Sequence, residues 1–153
     1  MTNAVDRPSF LGEAVIRDIP DAVIYADRTG AIRFWNAGAT RIFGFSEEEA
    51  LGRSLDIIIP ERLRRRHWDG YDRMMGTGKS RYGADEILSV PAVTKSGETL
   101  SIQFTVAPVL AVDGGIEGIV SILRDATATF GELKRLRKIA ARAKAAGIEE
   151  PPA

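Results

Sequence analysis

Apolar positions recur along this chain with two different spacings, and each spacing predicts one kind of element. Residues 10–16 carry apolar side chains at helical spacing, so we expect a short amphipathic helix there, ended by Pro20. The two runs that follow, AVIYAD and AIRFWN, are rich in β-forming residues. The turn between them ends at Gly30, which supplies the positive φ of a tight turn, so the two runs predict a β-hairpin.

The middle of the chain indicates small helices followed by a longer one. The run NAGATRIFGF predicts a small helix, and Ser46 with Glu49 has the spacing of a capping box at the start of the next. Residues 55–59 form an apolar strand or a buried turn that stops at Pro60. Because proline suits the first turn of a helix, residues 61–75 are predicted as a helix of about four turns.

The second half is rich in strands. Residues 87–94, 99–109 and 116–123 are β-prone runs joined by short loops that contain glycine, which predicts an antiparallel meander. Helix formers dominate from residue 126 onward and predict a terminal helix. The predicted fold class is therefore α+β.

Length and composition are those of one domain. The 153 residues, 44% of them hydrophobic, suffice for a single core. We expect a disordered lead-in at 1–8, a folded domain at 9–127, a C-terminal helix at 128–147 and a polar tail at 148–153.

Composition also excludes several kinds of protein. The chain has no cysteine, hence no disulfide, no thiolate metal site and no thiol nucleophile. Its 21 basic and 21 acidic residues argue against nucleic-acid binding. Because the sequence shows neither a signal-peptide pattern nor a long apolar run, we expect a cytoplasmic protein with no membrane contact. It shows no P-loop and no histidine–carboxylate arrangement beside a serine, so we expect no enzymatic activity.

Four short motifs carry a resemblance to a known family. They are DRTG in the hairpin, WNAGA at its end, IFGFSEEEALG across the small helices and RDAT after the last strand. Together with the order of elements, they resemble the PAS family of sensory domains over residues 9–127. The resemblance implies a five-stranded antiparallel sheet with helices on one face, which enclose a pocket for a ligand or cofactor. Because a fold does not by itself define a function, the pocket residues need separate analysis.

His67 is the single histidine of the chain and has three interpretations. Its ring either packs on the helix, or is solvated beside the arginines at 64–66, or it ligates haem iron through a neutral imidazole. The segment IPERLRRRHWDGYDRMMGTGKSRY resembles the helix of haem-PAS oxygen sensors, found in nitrogen-fixation sensor kinases and a haem-regulated phosphodiesterase. The matching histidine there is the proximal ligand, which implies haem b on His67 and a gas or redox sensor.

The helix register and the meander predict the residues around this ligand. With His67 as the metal ligand, the expected pocket consists of Leu63, Tyr71, Met74, Leu88, Ile102, Val120 and Ile122. Haem oxygen sensors place an arginine on the first strand after the helix, whereas the matching positions here are Asp85 and Ile87 or Leu88. Without that arginine, the resemblance leaves CO or NO as the gas, or no gas at all.

Two alternatives stay open for the pocket. Trp35 and Asn36 face a flavin if this chain resembles redox PAS domains, although a tryptophan at this position is more often core or dimer surface in the family. Photoactive flavin domains need a reactive cysteine and are excluded, so flavin is not the expected cofactor. The other alternative is a PAS domain without cofactor that serves as a dimerisation or interaction module.

One face of a PAS sheet is not covered by its own helices, so apolar residues there need another cover. A homodimer is therefore predicted through the helix at 10–16, the outer sheet face, or both. Phe34, Trp35 and the alternating residues of 102–106 are candidates for this contact.

The terminal helix is the predicted output element. Its apolar stripe is thin, and its cations have no acidic neighbour between residues 133 and 146. The stripe is Phe130, Leu133, Ala140 and Ala143, and the cations are Lys134, Arg135, Arg137, Lys138, Arg142 and Lys144. We expect Thr127 to cap this helix, which then docks on a partner such as a histidine kinase or a transcriptional regulator. The chain is predicted to be either a stand-alone sensor or a piece of a longer protein.

Overall fold

The computed structural model describes residues 11–79, 83 and 85–148, so the lead-in, Phe10 and the tail beyond Ile148 lie outside the described residues. The helices are α1 Leu11–Asp18, α2 Ala37–Phe43, α3 Glu47–Ala50, a 3₁₀ helix at Leu55–Ile58, α4 Glu61–Thr77 and α5 Thr127–Ala145. The strands are β1 Ala22–Asp27, β2 Ile32–Trp35, β3 Leu88–Val93, β4 Thr99–Leu110 and β5 Ile116–Asp125.

The five strands form one antiparallel sheet in the order β2-β1-β5-β4-β3. The β1–β2 hairpin and the β3–β4–β5 meander join where β1 pairs with β5 along its whole length. This arrangement confirms the predicted hairpin, the predicted meander and the α+β fold class. Within the described residues, no helix is both long and apolar enough to cross a membrane.

Strand alternation gives the sheet two faces. Ala22, Ile24 and Ala26 of β1 point into the core, where they meet Leu123 and Ile119 of β5. We call this the inner face, since its buried side chains pack with those of the helices in two clusters: α2, α3 and the 3₁₀ helix contribute to one and α4 to the other, and Leu55 packs against both. The strand residues that lie between these inward positions point to the opposite face of the sheet, which we call the outer face.

Local capping signals define the short helices as predicted. Ser46 accepts a hydrogen bond from the Glu49 amide, and the Glu49 carboxylate accepts one from the Ser46 amide, which confirms the capping box. The segment predicted as a strand or buried turn forms a 3₁₀ helix, because the Ser54 hydroxyl caps it through the Asp56 amide. Helix α4 runs past the predicted end and stops at Gly78, whose φ of +70° closes the helix.

The predicted cap of α5 is wrong. The N-cap residue is Ala126, whose side chain makes no capping hydrogen bond, and the Thr127 amide donates to the Asp125 carboxylate. The Thr127 hydroxyl instead accepts a hydrogen bond from the Ser101 amide of β4 at 3.0 Å and donates one to the Asp125 carboxylate. The reason is that β5 continues to Asp125, which pairs with Ile102, so the threonine side chain lies beside β4 rather than over the first turn.

Candidate functional site

Helix α4 presents one mainly apolar side to the inner face of the sheet. Tyr71 and Met74 are buried in the core, and Leu63 and His67 are half-buried. Successive steps of four, four and three residues place these side chains on one side of the helix, as predicted. Arg62, Arg65 and Arg66 are exposed on the other side and form a solvated surface, whereas Arg64 is half-buried and donates to the carbonyl oxygens of Ile59 and Asp56.

Tyr71 holds α4 against the end of β1. Its hydroxyl donates to the carbonyl oxygen of Ala26 at 3.2 Å and also to that of Asp27. Burial raises the pKa of the phenol, and the negative charge of Asp27 raises it further, so the hydroxyl stays a donor. Tyr71 therefore contributes its ring to the pocket wall, while its hydroxyl is occupied by the backbone.

Trp68 is a positioning residue that the sequence analysis missed. A Cβ built on Gly30, in the β1–β2 turn, would overlap the indole ring of Trp68. The indole nitrogen donates to Asp56 Oδ1 at 2.8 Å, which ties α4 to the 3₁₀ helix. The only sequence signal was a large aromatic residue in an otherwise highly charged helix, directly after the histidine.

His67 lies among aromatic rings. Its ring centroid is 4.7 Å from that of Trp68, edge to face, and 5.9 Å from that of Tyr71. The Nδ1 atom is buried and has no hydrogen-bond partner. Burial lowers the pKa of the imidazole, an effect that the negative charge of Asp56 partly opposes. The ring is therefore a neutral imidazole with an unpaired buried nitrogen, an arrangement suited to binding a ligand atom.

The strand residues predicted for the pocket divide between the two faces. Ile102 belongs to the buried core, and Leu88 pairs with Phe104, two residues along the same face of β4. Val120 and Ile122 lie on the outer face, so their assignment to the pocket is wrong. The pairing register decides this, because Ile119 and Leu123 occupy the inward positions of β5 and adjacent residues point the other way.

Trp35 and Asn36 are structural residues here. Trp35 is 2% exposed, and its indole nitrogen donates to the Thr40 hydroxyl and the Phe45 carbonyl oxygen. The Asn36 side chain accepts from the amides of Val23 and Ala39 and donates to the carbonyl oxygens of Ile16 and Asp21. All four of its hydrogen-bonding positions are occupied by backbone, which favours the core interpretation over contact with a flavin.

A shallow groove of about 150 Å³ lies on the outer face. Its lining includes Ile87, Gln103, Thr105, Ile122 and the ion-paired side chains of Asp21 and Arg124. Ile122 is 45% exposed in this groove. The outer face therefore presents apolar surface close to the point where β5 leads into α5.

Comparison with known proteins places these observations in a family. A family model described as the PAS fold matches residues 16–129. Sensor protein FixL of Bradyrhizobium diazoefficiens is 43% identical over 58 residues, which are 38% of this chain and 11% of that protein. An uncharacterized protein of Azorhizobium caulinodans is 31% identical over 121 residues, which are 78% of this chain and 16% of that protein. The chain thus spans less than a fifth of the length of these relatives.

A solved structure shows the same fold. The PAS domain of a protein from Colwellia psychrerythraea superposes with a TM-score of 0.67 at 19% identity, and the match covers 76% of this chain and 95% of that one. The family model spans most of the chain, and its range contains the complete sheet and the core helices described above. This chain belongs to the PAS family.

Proposed function

We propose that this domain is a sensor that holds haem b between α4 and the inner face of the sheet, with His67 as the axial ligand of the iron. PAS domains are generally sensory modules rather than enzymes. The observation that carries the proposal is the buried Nδ1 of His67, which has no hydrogen-bond partner. A neutral imidazole carries a lone pair on one of its two ring nitrogens, and the contacts with Trp68 and Tyr71 hold the orientation of the ring.

The donor set fits haem better than a bare metal ion. Among the residues that the structure describes, no three histidine, aspartate or glutamate side chains form a group that could hold an ion. A zinc site needs three or four protein ligands, whereas haem iron needs only one or two axial ligands from the protein. A single histidine in an apolar setting therefore supports haem.

Haem, when bound, supplies an iron atom that takes up a diatomic gas or changes its redox state. The residues that would hold such a group by apolar contact and exclude water from it are Leu63, Tyr71 and Met74 of α4 together with Leu88 and Ile102 of the sheet.

The inward positions of β3 bear on the choice of gas. They carry Leu88, Val90 and Ala92, none of which has a side-chain hydrogen-bond donor. Donors beside the iron favour bound O₂, so an apolar strand favours CO, NO or redox sensing.

Output and assembly complete the proposal. Helix α5 contains no buried residue, and six of its residues are basic and one is acidic. We place the signalling contact there, with an acidic surface on a partner protein. A second copy of the chain is proposed to cover α1, whose Leu11, Val15 and Ile16 are exposed.

A cofactor-free interaction module is the second candidate. It is favoured by the same exposed stripe of α1 and needs no ligand at His67. In that case the apolar surface of α1 serves only to join chains, and the imidazole is a packed core residue.

The visible spectrum of the full chain, expressed with a haem precursor, distinguishes the two. We expect a Soret band with stoichiometric haem, lost in His67→Ala and retained in Arg66→Ala, a change on the exposed side of the same helix. Circular dichroism checks that both variants fold. A folded wild-type protein that stays colourless and takes up no added hemin would overturn the haem proposal and leave the interaction module.

A further inference from the structure

The two terminal helices depart from adjacent strands. Helix α1 leads into β1, and β5 leads into α5. Since Ala22 pairs with Leu123, the beginning of β1 and the end of β5 lie side by side. A side-chain contact between these two strand ends therefore connects the segments that lead to the two helices.

Asp21 and Arg124 make that contact. The Arg124 Nε and Nη2 atoms donate to the two carboxylate oxygens of Asp21 at 3.0 and 2.9 Å. Such a two-bond pair defines the relative direction of both side chains, which a single-bond pair does not. The hydrogen bonds and charge of Arg124 hold the pKa of the Asp21 carboxyl below its usual value, with a smaller contribution from Arg41.

The backbone of Asp21 is itself held in place. Its carbonyl oxygen accepts from Asn36 Nδ2 at 2.9 Å, and the same nitrogen donates to the carbonyl oxygen of Ile16 in α1, also at 2.9 Å. A Cβ built on Gly38 would overlap the Asp21 carbonyl oxygen, so α2 also packs directly on this segment. The end of α1 and the backbone of Asp21 thus share one buried support, the side chain of Asn36.

The residues that follow Arg124, the other member of the pair, determine where α5 begins. Arg124 is followed by Asp125, whose carboxylate accepts from the Thr127 amide at 2.9 Å. The Thr127 hydroxyl accepts from Ser101, and the Ala126 amide donates to the Ser101 carbonyl oxygen at 2.8 Å. The residues next to Arg124 therefore hold the first turn of α5 against β4.

We infer that Asp21 and Arg124 are positioning residues that couple the placement of α1 to the placement of α5. This inference rests on the proposed function only in taking α5 as the output element. The Asp21–Arg124 pair forms only when the two strand ends are in register. Displacement of either helix therefore weakens the ion pair, and the weakened pair in turn holds the other helix less firmly. Coupling between two such sites is reciprocal, hence a partner bound at one helix changes the order of the other.

Amide hydrogen exchange of the full chain, resolved by residue, tests the coupling. In Arg124→Gln we expect exchange to rise about two- to fivefold at Ala126 and Phe130, which report on α5, and at Ile19 and Val23, which report on α1 and β1. The matched control is Arg33→Gln, which removes another exposed arginine from an aspartate at the far end of the hairpin. This control should leave amide exchange unchanged both at Ala126 and Phe130 and at Ile19 and Val23.

Two further variants separate coupling from a general loss of stability. Asp21→Asn should raise exchange at the same amides, and the double variant should add little to either single one, because both remove one interaction. Arg124→Lys keeps the charge but not the two-bond geometry, so it should restore exchange only in part. The melting temperature should stay nearly constant throughout.

Unchanged exchange at Ala126 and Phe130 in Arg124→Gln would overturn the coupling, as would fully additive effects of the two single variants. Neither result depends on haem, which is scored separately by the Soret band. Failure of the coupling and failure of the haem proposal are therefore distinguishable.

Discussion

The indole ring of Trp68 lies directly on Gly30, so that the longest core helix closes over the β1–β2 turn with no room for a side chain at the glycine. Gly30 also has a φ of +80°, which an L side chain rarely adopts. The contact fixes the position of α4 relative to the β1–β2 turn, and with it the position of His67, the residue before Trp68. The position of the candidate ligand thus depends on a turn that is distant in sequence.

Gly30→Ala should destabilise the domain by about 3 kcal/mol, since it adds strain at a positive φ and a clash with the indole. Gly52→Ala is the matched control: Gly52 has the same φ of +80°, but a Cβ there would meet no atom within 4 Å. We expect the control to cost about 1 kcal/mol. Urea unfolding measures both, and equal losses would show that the Trp68 contact does not constrain the turn.

Asn36→Ala should cost about 3 kcal/mol or more, because it leaves the buried Val23 and Ala39 amides without their acceptor and removes two donors. Ser46→Ala removes an exposed helix cap and should cost about 1 kcal/mol. Chemical denaturation of the two variants compares them. Similar losses would mean that the buried asparagine acts only as a cap for α2.

Glu49 should give the domain a measurable acid dependence. A hydrogen bond from Lys95, followed by those from Ser46, lowers the pKa of this carboxyl from 4.5 to about 2. The folded state then binds fewer protons than the unfolded state between these two values. Its contribution to stability is therefore complete above about pH 4.5 and is lost as the pH falls towards about 2.

In Glu49→Gln, the urea concentration at half unfolding should decrease less as the pH falls through this interval. Glu48→Gln, a change at the adjacent exposed residue, should leave this decrease as it is in the wild-type protein. Part of the slope should persist in both variants, since hydrogen bonds from Thr29 and then Arg33 also lower the pKa of Asp27 to about 2. Because the Glu49–Lys95 pair is exposed, salt should weaken the difference. A slope that is identical in the two glutamine variants would contradict the assignment.

His67→Leu should raise the stability of the cofactor-free protein by about 1 kcal/mol, because it replaces an unpaired buried nitrogen by an apolar group. Burial lowers the pKa of His67, so the wild-type protein should begin to lose stability as the pH falls below about 6.5. The variant should lose stability only at the lower pH at which Glu49 and Asp27 titrate. Arg66→Leu, on the exposed side, serves as control. A leucine variant that is less stable at neutral pH would indicate that the imidazole is a satisfied core residue.

Val15→Glu should weaken the proposed homodimer about tenfold or more, because it places a charge in the exposed apolar stripe of α1 without disturbing a buried residue. Glu13→Gln, on the polar side of the same helix, should leave the dimer intact. Sedimentation velocity over a range of concentrations measures both. A wild-type chain that stays monomeric at high micromolar concentration would contradict the homodimer.

Local sequence signals determined most of the elements. The positive-φ glycines at 30 and 78, the capping box of Ser46 and Glu49 and the alternation along the strands each act over a few residues, so they are readable without tertiary contacts. The same is true of the face of α4 that carries His67, because helical spacing alone places its neighbours. The family motifs then supplied the order in which these elements assemble.

Tertiary structure decided what local spacing leaves open. Apolar residues occupy both faces of β5, and only the register against β1 and β4 shows that Val120 and Ile122 point away from the pocket. Trp68 meets Gly30, and Arg124 meets Asp21, across separations that no local pattern records. Thr127 has the right identity for a cap, yet the length of β5 directs its hydroxyl to β4. Each of these outcomes depends on which strands pair, and pairing is set by the packing of the whole core.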